Sequence, residues 1–188
     1  MALLEIRVTG DPVLHAVAQP VTVVDDELRQ LVSDMYETMD RAPGVGLAAP
    51  QVGVSLRLFV YSYEDDEGLP WRGVAINPVL WVSPSDTAEL DEEDESEGCL
   101  SVPGERFPLR RAESALLIAT DLDGEPVELQ VDGWRARILQ HEFDHLNGVL
   151  YVDRLTMPYS RRAEKAVKKS GWGVPGISWL PGRDDLEG

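Results

Sequence analysis

The segment at residues 141–145, His-Glu-Phe-Asp-His, constrains the fold more than any other part of the chain. Histidines four positions apart lie on one face of an α-helix, about one turn from each other, so their imidazoles can bind one metal ion. A catalytic metal usually takes a third protein ligand, which must come from elsewhere in the chain. We therefore predict a helix at 133–147, ended by Asn147 and Gly148, around which other elements pack.

Other segments have the patterns of helices. Apolar residues recur at helical spacing from Leu28 to Met39, which predicts a helix at 25–41 with one buried face. Acidic residues open this helix, where its dipole favours negative charge, and a Pro-Gly pair ends it. A third, short and basic helix is predicted at 161–169.

Alternating and β-branched patterns predict strands between the helices. We expect strands at 55–62 and 73–83, and the latter should be bulged or broken because Pro78 has no N–H for a ladder. Residues 114–131 predict a hairpin that turns at an Asp-Gly pair. The order of elements has few long crossovers. It favours an α+β fold with mostly antiparallel sheets packed around a central metal-binding helix.

The length of 188 residues is that of about one domain. We expect a single catalytic domain at residues 1–169 and a C-terminal extension at 170–188 with a disordered end, although its two tryptophans indicate that part of it packs on the body. The single cysteine leaves no internal disulfide or disulfide partner. No stretch has the ~20 apolar residues of a membrane helix, and the first residues do not have the pattern of a signal peptide. We therefore expect a cytoplasmic protein that does not bind membranes.

The chain carries 17 basic and 34 acidic residues, a net charge of −17. This charge disfavours nucleic acids and anionic membranes as partners. Eight of the acidic residues fall within the twelve positions 86–97. We interpret this run as a solvated loop, with a docking site for a basic partner or a weak cation site as the alternative.

Cys99 is a candidate for the third metal ligand. A lone cysteine is more often a small buried apolar residue, but here a glycine precedes it and Ser-Val-Pro follows it, which indicates a tightly shaped segment. A site made of Cys99, His141 and His145 suits zinc or ferrous iron, and these ligands alone do not choose between them. Glu142, beside the first histidine, can take a proton from water and give it to a leaving group.

The glycine-rich segment 44–54, GVGLAAPQVGV, meets a further need of acyl hydrolysis. The side-chain amide of Gln51 and a backbone N–H near Leu100 can stabilise a developing oxyanion. Gly44 and Gly46 allow a substrate to approach the backbone closely. The segment does not follow a strand and lacks the lysine of a phosphate loop, so a nucleotide site is disfavoured.

Three segments together resemble the signatures of the peptide deformylases. They are GVGLAAPQ at 44–51, EGCLS at 97–101 and QHEFDHL at 140–146, in the same order along the chain. The resemblance covers residues 3–155 and includes DPVLH at 11–15. It implies a metal-dependent hydrolase that removes the formyl group from the N-terminal formylmethionine of newly made polypeptides and releases formate.

The resemblance also implies a role for each site residue. The implied metal ligands are Cys99, His141 and His145, and the implied metal is one divalent ion, Fe2+ first, with Zn2+, Ni2+ or Co2+ as alternatives. Glu142 would be the general base and then the acid, with Gln51 and the Leu100 N–H as oxyanion donors. The implied substrate-binding residues are Val45, Gly46, Trp134 and Ile138. Glu97 and Arg111 would form a supporting ion pair behind the cysteine segment.

The implied partners are formylmethionyl nascent peptides. The predicted helix at 161–169 carries five basic residues and one acidic residue. We hypothesise that it contacts the ribosome, with a solvated amphipathic helix as the alternative.

Three other interpretations remain open at this stage. One is a His-Glu-x-x-His metallopeptidase, which would not need the Cys99 segment together with Gln51. Another is a non-catalytic metal-binding domain, whose closed site would normally have four protein ligands. The third is a family relative that has lost its activity, although Glu142 and both other residues expected for catalysis are present.

Overall fold

A computed structural model describes residues 2–64, 68, 70–85 and 89–184 of the chain. Its α-helices are α1 (Asp26–Arg41), α2 (Gly133–Leu146) and α3 (Tyr159–Lys169). Its strands are β1 (Ile6–Arg7), β2 (Gly46–Ala48), β3 (Leu58–Glu64), β4 (Pro70–Val82), β5 (Ser96–Cys99), β6 (Val102–Pro108), β7 (Ser114–Thr120), β8 (Pro126–Asp132) and β9 (Ser178–Trp179). None of the helices in the described part of the chain is long and apolar enough to cross a membrane.

The largest sheet has the strand order β2-β3-β4-β7-β8, and its neighbouring strands are antiparallel. The predicted irregularity near Pro78 is confirmed, because the register of β4 against β7 shifts between Ile76 and Val79. The predicted hairpin is also confirmed, and Gly124 takes the positive φ of +80° that its turn requires. β2 is an edge strand of this sheet, which is important for the site described below.

Helix α2 packs against β2, β3, β7 and β8, and it buries Ala136, Ile138, Leu139 and Leu146. Its C-terminal cap at Asn147 donates its backbone N–H to the carbonyl groups of Asp144 and His145. The described residues therefore confirm an α+β fold with antiparallel sheets around a central helix.

Two small sheets complete the described structure. β5 and β6 form a hairpin whose register shifts next to Cys99. β9, in the C-terminal extension, pairs with β1 near the N-terminus. Of the acidic run, residues 92–95 form a turn, and Asp91 before it accepts hydrogen bonds from the backbone of Glu93 and Asp94. Asp86, and the last residues of the extension, 185–188, lie outside the described residues.

Candidate active site

The two histidines of α2 and the cysteine at the end of β5 meet at one point. The ligand atoms of Cys99, His141 and His145 all lie within 4.8 Å of one another. The His145 Nε2 atom is 3.1 Å from His141 Nε2 and 3.3 Å from Cys99 Sγ. Because one thiolate and two imidazoles can hold a divalent ion and leave a coordination position open, this group fits a catalytic metal such as zinc or iron.

Glu97 fixes the orientation of His141. The His141 Nδ1–H donates to Glu97 Oε1 at 2.6 Å, which directs Nε2 toward the other two ligands. Arg111 and Arg137 pair with the same buried carboxylate at 2.7 and 2.9 Å. Burial raises the pKa of Glu97, but the hydrogen bonds and charges of His141 and Arg111 outweigh it, so this pKa lies well below its ordinary value. Glu97 is therefore a buried anion, and the interpretation of the whole acidic run as a solvated loop is wrong at this residue.

The expected contact between Glu97 and Arg111 belongs to a longer chain of charges. Arg111 also donates to Asp144 Oδ2 at 2.6 Å, and Asp144 in turn pairs with Arg154. Sequence reasoning missed Arg137, Asp144 and Arg154 as parts of this network. Two signals were available, because Arg137 lies one helical turn before His141 and Asp144 lies between the two histidines.

The pKa values of the two histidines are shifted in opposite directions. Burial and then the charge of His141 lower the pKa of His145 well below its ordinary value. Burial acts on His141 in the same way, but Cys99 and Glu97 outweigh it and raise the pKa of His141 well above its ordinary value. His145 is therefore held as a neutral imidazole, the form that binds metals.

Glu142 is buried beside the histidines and does not belong to the ligand group. Its Oε2 atom has no hydrogen-bond partner. Burial raises the pKa of Glu142 to about 7, against the opposing charge of His141. An unpartnered buried carboxyl oxygen costs free energy, so this atom is available for a hydrogen bond with a bound molecule.

Gln51 is buried beside the cysteine. Its Oε1 accepts a hydrogen bond from Ala48 N at 2.9 Å, which directs its Nε2 toward the site. Nε2 is 3.3 Å from Ser101 Oγ and 3.7 Å from Cys99 Sγ. Leu100 follows the cysteine directly, and Gln51 and Leu100 line the same cavity.

Cys99, His141, Glu142, Gln51 and Leu100 line one cavity of about 310 Å³, whereas His145 is buried and does not line it. Each of the four expected substrate-binding residues lines it: Val45, Gly46, Trp134 and Ile138. Val45 and Trp134 are about 40% exposed at its mouth, whereas Ile138 is buried. Sequence reasoning did not name Tyr63, Glu105 and Arg106, which also line the cavity.

The fold and the donor set define a class of protein. It comprises the α+β proteins in which a His-Glu-x-x-His helix and a cysteine form a group that could hold one metal ion. The Polypeptide deformylase family matches residues 3–161, and the chain belongs to this family of enzymes.

Relatives and solved structures agree with this assignment. A peptide deformylase of Mycolicibacterium paratuberculosis is 53% identical over 189 residues, 97% of this chain and 96% of the relative. One of Rhodococcus opacus is 53% identical over 186 residues, 97% of this chain and 95% of the relative. The crystal structure of a peptide deformylase from Legionella pneumophila has a TM-score of 0.76 and 40% identity, covering 90% of this chain and 96% of that one. A peptide deformylase from Synechococcus elongatus, in complex with actinonin, has the same TM-score and identity and covers 93% of this chain and 91% of that one.

Proposed function

We propose that this protein hydrolyses the N-formyl group of N-terminal formylmethionine in newly made polypeptides and releases formate. The observation that carries the proposal is a cavity lined by Cys99, His141 and the unpartnered carboxyl of Glu142, where the first two belong to the group that could hold a metal ion together with His145. The names of the relatives support it, since they are peptide deformylases.

The substrate backbone would bind along β2. This strand is the edge of the five-stranded sheet, and Gly46 at its start lines the cavity. An extended peptide can add to a free strand edge through main-chain hydrogen bonds. The methionine side chain would lie against Val45, Trp134 and Ile138, which offer apolar surface at the same opening.

The proposed cofactor is one divalent metal ion held by Cys99, His141 and His145. Fe2+ is the first choice, and Zn2+, Ni2+ or Co2+ are the alternatives, because the donor set accommodates each of them. When bound, the metal supplies the Lewis acidity that polarises a carbonyl oxygen and lowers the pKa of a water.

Glu142 moves the protons of the reaction. Its carboxylate takes a proton from the attacking water, whose oxygen forms the new bond to the formyl carbon. The Gln51 amide and the Leu100 N–H donate to the negative charge that develops on the formyl oxygen. Glu142 then gives its proton to the methionine nitrogen as the C–N bond breaks, which yields formate and a free amine.

The proposed location is the cytoplasm, where such peptides are made. The five basic side chains of α3 are exposed, while Tyr159 and Ala163 pack against the body. This exposed cationic face supports the proposal that α3 contacts the ribosome, whose surface is rich in phosphate.

A panel of three peptides tests the proposed reaction against the peptidase alternative. The peptides are formyl-Met-Ala-Ser, acetyl-Met-Ala-Ser and Met-Ala-Ser, incubated with metal-loaded protein and analysed by mass spectrometry. We expect the first to lose only its formyl group and the other two to stay intact, since the cavity must accommodate a small acyl group. Cleavage at an internal peptide bond would contradict the proposal and favour a metallopeptidase.

A further inference from the structure

The C-terminal extension reaches the metal-binding segment through one tryptophan. Trp179 in β9 is only 2% exposed, and its indole Nε1–H donates to the Leu100 carbonyl oxygen at 2.9 Å. That oxygen belongs to the peptide group that joins Leu100 to Ser101. Trp179 does not line the catalytic cavity, so it is placed to act on the site through this peptide group.

The other end of the same peptide group faces the cysteine. The Ser101 N–H lies 3.4 Å from Cys99 Sγ, in the range of an N–H···S hydrogen bond. A hydrogen bond to a charged acceptor is stronger than a neutral one, so this donor stabilises a thiolate. Hydrogen bonds at the two ends of one amide polarise it in the same direction and strengthen each other. The indole of Trp179 is thus connected to the Cys99 sulfur through a single peptide group.

The turn at residues 100–101 is also held from the N-terminal side. The Thr9 N–H donates to the Ser101 carbonyl at 2.8 Å, and Gln51 Nε2 donates to the Ser101 hydroxyl. The pairing of β1 with β9 brings Trp179 close to this N-terminal segment. The carbonyl groups of Leu100 and Ser101 therefore accept hydrogen bonds from residues near opposite ends of the chain.

We propose that Trp179 is a positioning residue for the metal centre. By holding the Leu100 carbonyl it orients the Leu100–Ser101 peptide group, so that the Ser101 N–H donates to Cys99 Sγ and limits the electron donation of the thiolate to the metal. The inference rests on the proposed role of Cys99 as a metal ligand.

The test uses the cobalt(II)-loaded protein, whose thiolate-to-cobalt absorption band reports on the sulfur directly. Trp179→Phe keeps an aromatic ring and removes the N–H donor. We expect this band to move to lower energy, because the thiolate becomes more electron-rich. We also expect turnover to fall about tenfold, the lower end of the range for residues that support metal ligands, because a more electron-rich thiolate would make the bound metal a weaker Lewis acid.

Trp172→Phe is the matched control. Trp172 is in the same extension and packs against the same core, but no contact joins it to the Leu100–Ser101 peptide group among those described. Its replacement should leave the band in place. A shift of equal size in this variant would overturn the inference, because it would follow from looser packing alone.

A second variant separates the hydrogen bond from the shape of the side chain. Benzothienylalanine at position 179 has nearly the shape of tryptophan, with sulfur in place of the N–H, and should give the same shift as Trp179→Phe. An unchanged band in both folded variants would overturn the inference. A band that shifts in a protein that releases no formate would support it and contradict only the proposed reaction. A wild-type protein without any thiolate-to-cobalt band would contradict both the inference and the proposed role of Cys99 as a metal ligand.

Discussion

At the scale of single residues, the site depends on the close approach of β2 to α2. Gly46 lies beside the Glu142 carboxyl, and a Cβ atom built on this glycine would be 2.2 Å from Glu142 Oε1. From the sequence alone, we expect Gly46 to let a substrate approach the protein backbone closely. The structure adds a second requirement, because the missing side chain leaves room for the carboxyl that would move the protons.

We expect Gly46→Ala to displace the Glu142 carboxyl and to lower turnover about a hundredfold, the lower range for loss of a general acid–base group. The metal content should stay near that of the wild type, because the three atoms nearest to the added Cβ all belong to Glu142 and none belongs to a proposed metal ligand. Steady-state kinetics and metal analysis of the same preparation test the prediction. A normal kcat in the folded variant would show that Glu142 tolerates the displacement or is not needed.

The sequence predicted the residues that share a motif, and it missed those that reach the site through pairing between distant segments. Spacing along a helix is enough to bring His141 and His145 together, so their meeting could be predicted. Nothing in the local pattern around Arg154 predicts that it pairs with Asp144, because that contact depends on the path of the backbone after the end of α2. The same is true of Trp179, which is 79 residues from its hydrogen-bond partner.

At the scale of elements, the long and regular segments were predictable and the short ones were not. Helix α1 begins one residue after the predicted start and ends where predicted, and α3 begins two residues earlier than predicted. The β5–β6 hairpin and the β1–β9 pair were missed. Their sequences lack clear alternation, and their pairing depends on tertiary contacts rather than on local preference. These missed elements are the ones that hold Cys99 and Trp179.

The docking of the C-terminal extension can be tested at Gly10. This residue has a φ of +100°, and a Cβ atom there would lie 2.3 Å from backbone atoms of Gly173 and Val174. We expect Gly10→Ala to detach the extension and to lower the free energy of unfolding by about 2–3 kcal/mol, since it adds a backbone clash to the strain of a positive φ. Denaturant unfolding and limited proteolysis after residue 170 measure both effects.

Gly171→Ala provides the control for backbone strain alone. Gly171 also has a positive φ, of +72°, but a Cβ atom there would meet nothing within 4 Å. Its replacement should cost only about 1–2 kcal/mol and leave the extension protected from proteolysis. Equal protease sensitivity in the two variants would contradict the proposed clash at Gly10.

At the scale of the whole molecule, the three proposed metal ligands come from two parts of the fold. Cys99 is at the end of the β5–β6 hairpin, while both histidines are on the central helix. A bound ion therefore links these parts in the folded state, and an unfolded chain does not hold the three ligands together.

Removal of the metal should consequently lower the stability of the whole protein. A ligand present at a hundred times its dissociation constant stabilises the folded state by about 2.7 kcal/mol, so chelation should lower the Tm by several degrees. Calorimetry with and without chelator tests this. In His145→Ala the chelator should have little further effect, and an unchanged Tm in the metal-loaded wild type would contradict a linking ion.

The charge distribution of the molecule leads to a separate prediction. The chain has a net charge of −17, yet the exposed face of α3 is basic. If this face contacts ribosomes, replacing its five basic residues by glutamine should abolish cosedimentation with ribosomes at low salt and leave turnover of a short peptide unchanged. Equal cosedimentation of the variant and the wild type would refute the contact and favour a solvated helix.

The most direct test of the central claim is the release of formate from a formyl-methionyl peptide. The protein would be purified anaerobically with Fe2+, and formate and new free amine would be quantified together. We predict rapid release of both in a one-to-one ratio by the wild type, and a loss of at least about a hundredfold in metal-loaded Glu142→Gln, which keeps the shape of the carboxyl but cannot act as the base. A metal-loaded wild type that releases no formate, or a Glu142→Gln variant as active as the wild type, would contradict the account.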